Sequence, residues 1–169
     1  GVGKTTCARI LAKVLNGLED SEAESLSLNI FELDAASNNS VEDIRRLTEQ
    51  VRFPPQQGEY KIYIIDEVHM LSQQAFNAFL KTLEEPPPYA IFILATTEKH
   101  KVLPTILSRC QIFDLRRVSI EDIVGQLKGI CEKENIEADE EALHVIAQKA
   151  DGAVRDALSI FDRLASFEA

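Results

Sequence analysis

The sequence opens on Gly1, Val2, Gly3, Lys4, Thr5 and Thr6, the closing part of a phosphate-binding pattern in which a glycine-rich turn ends in Gly-Lys-Thr. Each residue type has a task there. Glycine lets consecutive backbone N–H groups curl around a polyphosphate. Lys4 carries a point charge to its outer phosphates, and Thr5 offers a hydroxyl to Mg²⁺. The helix that follows directs its positive end at the anion. The first glycine of the full pattern, and the strand expected before it, do not occur in this sequence. The expected sheet therefore lacks its first strand.

A second cluster follows at Ile62 to Glu67, IYIIDE, an apolar run ending in two carboxylates. Asp66 at the strand end can orient water on Mg²⁺, and Glu67 can polarise an attacking water as a general base. An ordinary strand with an acidic end is the plainer alternative, weakened by the phosphate pattern upstream. His69 completes the string DEVH and reads as a hydrogen-bonded structural residue, with no metal assigned to it. Ala90 to Glu98, AIFILATTE, ends a further strand in Thr96 and Thr97. A hydroxyl there can touch the outer phosphate or the lytic water, or it can simply satisfy a strand end. Ser108-Arg109-Cys110 places a cation where it can reach a neighbouring subunit's nucleotide, and a plain surface cation is the competing reading. GAVRDAL, 152–158, puts Arg155 near the start of a helix, where it can serve the nucleotide or pair with a carboxylate such as Asp151.

The elements that must position these groups alternate in type, as in α/β folds. Helical spacing predicts helices over Thr5–Leu15, Val41–Val51 and Ser72–Glu84, the last stopped by Pro86, Pro87 and Pro88. Strands are predicted at Leu28–Leu33, Lys61–Asp66, Ala90–Ala95 and Cys110–Leu115; the last three read as strands buried on both faces. Asn16 to Ser27 is acidic and serine-rich and reads as a loop or weak helix. Pro104–Leu107 reads as a short helical turn. After Arg117 the strand-like runs stop, and helices are expected at about 119–134, 139–149 and 153–167. The domains expected are thus an α/β domain over 1–117 and a small helical domain over 118–169.

At 169 residues with 45% hydrophobic and 27% charged content, the chain has material for a packed core. No apolar stretch approaches the length of a membrane span. Cys7, Cys110 and Cys131 are few, odd in number and far apart, so a reducing cytoplasm is expected and neither a disulfide framework nor a CxxC metal site is. Net charge is −10, of which −3 falls on 1–117 and −7 on 118–169. Composition alone argues against a nucleic-acid binder, which needs Lys and Arg for phosphates.

Taken in order, GVGKTT, FELDAASN, YIIDEVHMLS, FNAFLKTLEEPP, FILATTE, LPTILSRCQIF and DGAVRDALS resemble the gamma/tau subunits of bacterial DNA polymerase III, AAA+ ATPases of the sliding-clamp loader. The resemblance covers nearly the whole chain, and DEVHMLS with LKTLEEPP and SRC is its most specific part. It implies a RecA-like P-loop fold, a three-layer sandwich, with a three-helix lid. It implies nucleotide-binding roles for Gly1, Val2, Gly3, Lys4, Thr5 and Thr6 and a Mg²⁺ site from Thr5 and, through water, Asp66. Glu67 would activate water, Thr97 would be the first sensor with Thr96 the register alternative, Arg109 a finger on the adjacent subunit's ATP, and Arg155 the second sensor. The cofactors implied are ATP and Mg²⁺. The implied partners are the delta and delta-prime subunits, further gamma/tau copies, the sliding clamp and primed DNA. The implied setting is DNA replication inside a holoenzyme that is a DNA-directed DNA polymerase, a nucleotidyltransferase. A collar domain would follow Ala169. Many relatives carry a four-cysteine zinc module between the first helix and FELDAAS, whereas this interval, NGLEDSEAESLSLN, has no cysteine, so no zinc is expected.

Two rival readings remain. GKT, DEVH and ATT also occur in DExH-type helicases, but a helicase needs a second RecA-like domain where this chain has a small acidic helical region. A non-hydrolysing scaffold of the delta-prime type keeps the SRC motif without a working phosphate loop, and the intact GKTT and DE argue against it.

Overall fold

The computed structural model describes residues 2–17, 29–56 and 58–166. Gly1, the interval 18–28 that includes most of the Asn16–Ser27 segment and Leu28, and the expected helix end at 167 lie outside the described residues. The chain divides into two compact units. One is Lys4–Ile112; the other is Phe113–Ala169 with Gly1–Gly3.

The first unit is an α/β/α sandwich. Its elements are α1 (Lys4–Leu15), β1 (Ile30–Asp34), α2 (Val41–Val51), β2 (Lys61–Asp66), α3 (Gln73–Glu84), β3 (Ala90–Leu94) and the one-turn α4 (Pro104–Leu107). Short 3₁₀ turns lie at Val68–Met70 and Lys99–Lys101. The strands pair in parallel in the order β1-β2-β3, with Asp34 opposite Asp66 and Ile65 opposite Leu94. Parallel neighbours require crossover connections, and α2 and α3 supply them.

The alternation of β2 side chains builds the two cores. Ile62 and Ile64 pack with Ala8 and Ala12 of α1 on one face. Tyr63 and Ile65 pack on the other with Ile44 and Leu47 of α2, Phe76 and Phe79 of α3, and Ile106 of α4. Each such aliphatic side chain contributes about 1.5–3 kcal/mol by leaving water. Phe31, Tyr63 and Phe92 stack across the three strands at 5.0 and 5.4 Å between ring centres, and Phe79 meets Phe92 edge-on at 5.3 Å. Burial pushes the Tyr63 phenol up to about 12. Buried Lys61 donates from Nζ to the carbonyls of Gln50 and Phe53 at 2.9 and 3.0 Å, tying the end of α2 to β2; desolvation draws its pKa down.

Two expectations are corrected. Cys110–Leu115 does not form a strand. Among the described residues no strand runs beside it to supply a ladder, and Ile112, Phe113 and Leu115 are exposed. An apolar run of strand length becomes a strand only when a neighbour takes its backbone bonds. Likewise β3, expected to be buried on both faces, is half-buried throughout, because among the described residues it is an edge strand paired on β2 alone.

The second unit holds α5 (Ile120–Glu134), α6 (Glu140–Ala150) and α7 (Val154–Ala165). Their apolar faces meet at Ile123, Leu127, Leu143, Ile146, Ala157 and Phe161. Ser119 and Asp139 cap α5 and α6 by accepting backbone N–H bonds, and Asn135 and Asp151 end them in the left-handed conformation. No helix among the described residues is long and apolar enough to cross a membrane.

Candidate nucleotide site

The site is built at the C-terminal ends of the parallel strands, where open α/β sheets bind ligands. Gly3 holds φ at +90°, a conformation that a side chain would strain, and Lys4 follows as the first residue of α1. Val2 precedes this turn, and Thr6 is exposed on the first turn of α1. The helix is fastened to β1 by Arg9, whose Nε and Nη2 donate to the two carboxylate oxygens of Glu32 at 2.6 and 2.7 Å. That hydrogen bond, then the charge of Glu32, holds the Arg9 guanidinium above its ordinary value.

Half-buried Thr5 donates from Oγ1 to Asp66 Oδ2 at 2.6 Å, across 61 residues of sequence. Asp66 Oδ1 accepts the backbone N–H of Glu67 at 2.9 Å, which fixes the carboxylate at the end of β2. A hydroxyl beside a carboxylate is an all-oxygen donor pair, the chemistry Mg²⁺ takes while keeping most of its waters. Thr5 and Asp66 are thus the residues that would hold it, and no cluster of three or more metal-ligating side chains occurs among the described residues.

Glu67 stands in the left-handed region at φ 48° and ψ 44°, outside the ordinary basins of a non-glycine residue. The turn is held by Val68 N–H on the Ala95 carbonyl at 3.0 Å. Thr97 donates from Oγ1 to Glu67 Oε2 at 3.1 Å. Thr96 instead faces His69, with Oγ1 2.8 Å from Nδ1, and accepts the Glu98 N–H at 3.0 Å. Of the two candidate threonines, Thr97 therefore meets Glu67 and Thr96 stitches the strand end.

Arg109 follows α4. Its Nη2 donates to Glu84 Oε1 at 3.0 Å and its Nη1 to the Thr105 carbonyl, and its side chain is partly exposed. Glu84 was not singled out by sequence, although its place in LKTLEEPP at the end of α3 marks it. Glu98 was also missed. Its carboxyl is held below the usual range by its hydrogen bond from Lys101, with the charges of Lys101, His69 and His100 adding to it. Arg155 lies in the second unit, exposed on the first turn of α7. The carboxylate suggested as its partner, Asp151, is taken by Arg117. Cys7, Cys110 and Cys131 are free thiols.

Comparison with known proteins bears on the family and the fold. A family described as DNA polymerase III, delta subunit, matches residues 1–119, and one described as DNA polymerase III clamp loader subunit, ATPase lid domain, matches residues 122–166. The tau subunit of DNA polymerase III from Bacillus subtilis is 49% identical over 181 aligned residues, which cover 99% of this chain and 32% of that protein. The gamma subunit from Buchnera aphidicola subsp. Baizongia pistaciae is 44% identical over 179, covering 98% of this chain and 48% of that protein. The chain thus spans 32% and 48% of the length of these two relatives. The Holliday junction branch migration motor RuvB of Thermotoga maritima shares the fold, with a TM-score of 0.72 at 20% identity over 97% of this chain and 51% of that one. Both family descriptions are of DNA polymerase III subunits and together they take in almost every residue, so the chain belongs to the DNA polymerase III clamp-loader subunit family, with gamma and tau subunits among its relatives.

Proposed function

We propose that the chain is the nucleotide-hydrolysing region of a clamp-loader motor subunit, which in the complete protein loads the ring clamp on primed DNA during replication. Residues 1–117 are assigned as the AAA+ nucleotide-binding domain and 118–169 as the lid. The observation that carries the reading is the pair of hydroxyl–carboxylate contacts at the end of β2, Thr5 of α1 on Asp66 at 2.6 Å and Thr97 on Glu67 at 3.1 Å. One pair suits a hydrated cation and the other an attacking water.

In this reading Gly1, Val2, Gly3, Lys4, Thr5 and Thr6 receive the phosphates of ATP, and Thr5 and Asp66 hold Mg²⁺. When bound, Mg²⁺ neutralises charge developing on the phosphates. Glu67 takes the proton of the attacking water, Thr97 orients Glu67 and senses the outer phosphate, and Arg155 is the second sensor. Arg109 serves the ATP of an adjacent subunit. The partners are the other loader subunits, delta, delta-prime and further gamma/tau copies, with the clamp and primed DNA met in the assembly, in the cytoplasm. The intact set Lys4, Thr5, Asp66 and Glu67 favours a hydrolysing subunit over a delta-prime-type scaffold. The three-helix unit after Ile112 stands where a helicase would need a second RecA-like domain.

The test uses the complete subunit. Lys4→Ala is expected to abolish ATP binding in calorimetric titration. Glu67→Gln is expected to keep binding while hydrolysis in the assembled loader falls by about 10²–10⁴-fold. Undiminished ATP binding by K4A, or undiminished hydrolysis by E67Q, would contradict the assignment.

A further inference from the structure

His69 is a nearly enclosed polar side chain beside this site that the reading above leaves without a task. Its side chain is only 6% exposed, yet both ring nitrogens face polar partners. Nδ1 lies 2.8 Å from Thr96 Oγ1 and 3.4 Å from Glu67 Oε2, the oxygen that accepts the Thr97 hydroxyl. Nε2 lies 3.2 Å from Glu98 Oε2. Glu98 is in turn held by Lys101 Nζ at 2.9 and 3.0 Å on its two oxygens, with His100 Nε2 4.0 Å away.

A histidine that only filled space would need one partner. This one joins the segment after β2 to the segment after β3, and its contacts end on the oxygen of Glu67 that the candidate reaction needs in place. Glu67 also needs such support, because its left-handed backbone is populated only where its surroundings hold it. We propose that His69 is a positioning residue for hydrolysis. It bridges Glu98 and Glu67 and, through Thr96, sets the strand end from which Thr97 reaches the same carboxylate. The proposal rests on Glu67 being the water-activating base.

Positioning has a signature that packing lacks. A displaced base slows the chemical step while leaving ground-state binding intact. In the assembled loader carrying the complete subunit, His69→Ala is expected to lower kcat for ATP hydrolysis by about 10- to 100-fold, with KM and nucleotide Kd changed less than about twofold. An asparagine amide can stand in for Nδ1 and a glutamine amide for Nε2. H69N keeps the Glu67 end of the bridge alone and is therefore expected to recover part of kcat, and H69Q to stay near H69A. In an E67Q background, H69A should cost nothing more, since both act on one oxygen. Should H69A fail to fold, the H69N and H69Q pair carries the same decision.

Loss of turnover in E67Q with kcat retained in a folded H69A overturns the bridge alone. So does a full further loss when H69A is added to E67Q, or recovery by H69Q and not by H69N. Turnover retained by E67Q overturns the base assignment, and the bridge with it.

Discussion

At the scale of single residues, adjacent threonines of one type have different surroundings. Thr97 is exposed and its hydroxyl reaches Glu67, whereas half-buried Thr96 bonds His69 and the Glu98 N–H. Thr97→Val should therefore leave stability within about 0.5 kcal/mol, the usual range for an exposed site, while hydrolysis falls with nucleotide binding kept. Thr96→Val leaves the Glu98 N–H without its partner and should cost on the order of 1 kcal/mol of stability. Thermal melting and steady-state turnover of both variants read the split, and equal melting losses would remove it. The sequence made the adjacent carboxylates at the end of β2 and the glycine turn ahead of α1 legible, because both are written in residue type and order. It left the threonine register open, because which hydroxyl points at Glu67 depends on where β3 ends against β2. It hid the tasks of Glu98 and Glu84, because a carboxylate's partner is set by three-dimensional proximity alone.

Among the elements, those carrying their own start and stop signals were legible. Ser40 and Asp43 form a reciprocal capping box on α2, and the Ser40 hydroxyl, by its hydrogen bond, holds the Asp43 carboxyl below its ordinary range. Ser72, Ser119 and Asp139 mark the starts of α3, α5 and α6 within a residue of the expected bounds. The segment Cys110–Leu115 carried an equally apolar pattern and failed as a strand. A helix closes its hydrogen bonds within itself, while a strand borrows them from a neighbour that no local pattern names. Turn positions carry the same lesson in reverse. Gly152 follows α6 at φ +77°, and a Cβ there would clash with Cβ of Arg117, whose guanidinium pairs with Asp151. Gly152→Ala meets both backbone strain and a clash, so it should destabilise the helical unit by more than about 1 kcal/mol. Hydrogen exchange should quicken in α6 and α7 and stay unchanged in β2. Unchanged protection in α6 would show that the turn relaxes freely.

For the molecule as a whole, charge and the assembled state must be read together. The net charge of −10, with −7 on 118–169, gives bulk attraction to DNA no support, so the primed-DNA contact of the proposed function would belong to local surfaces of an assembly. Arg109 belongs to that scale too. Within its own chain it is held by Glu84 at 3.0 Å and by the Thr105 carbonyl, with both side chains of the ion pair partly exposed. An exposed pair of this kind is worth about 0–1 kcal/mol, little enough to give up for a neighbour's triphosphate. Arg109→Ala should therefore leave the melting temperature of the complete subunit nearly unchanged and ATP binding intact. Hydrolysis in the assembled loader should fall by on the order of 10³-fold, as when a finger supplied in trans is withdrawn. Any hydrolysis by the subunit alone should not change, since no neighbour's nucleotide is there to be served. Glu84→Gln separates the cis pair from the trans role, because it removes the charge of the intrachain partner and keeps the guanidinium, and it should preserve hydrolysis in the assembly. Measuring turnover of each variant alone and assembled decides the matter. An equal loss for R109A in both states would place its effect within its own subunit, and a loss for E84Q as deep as that for R109A would make the intrachain pair the functional contact.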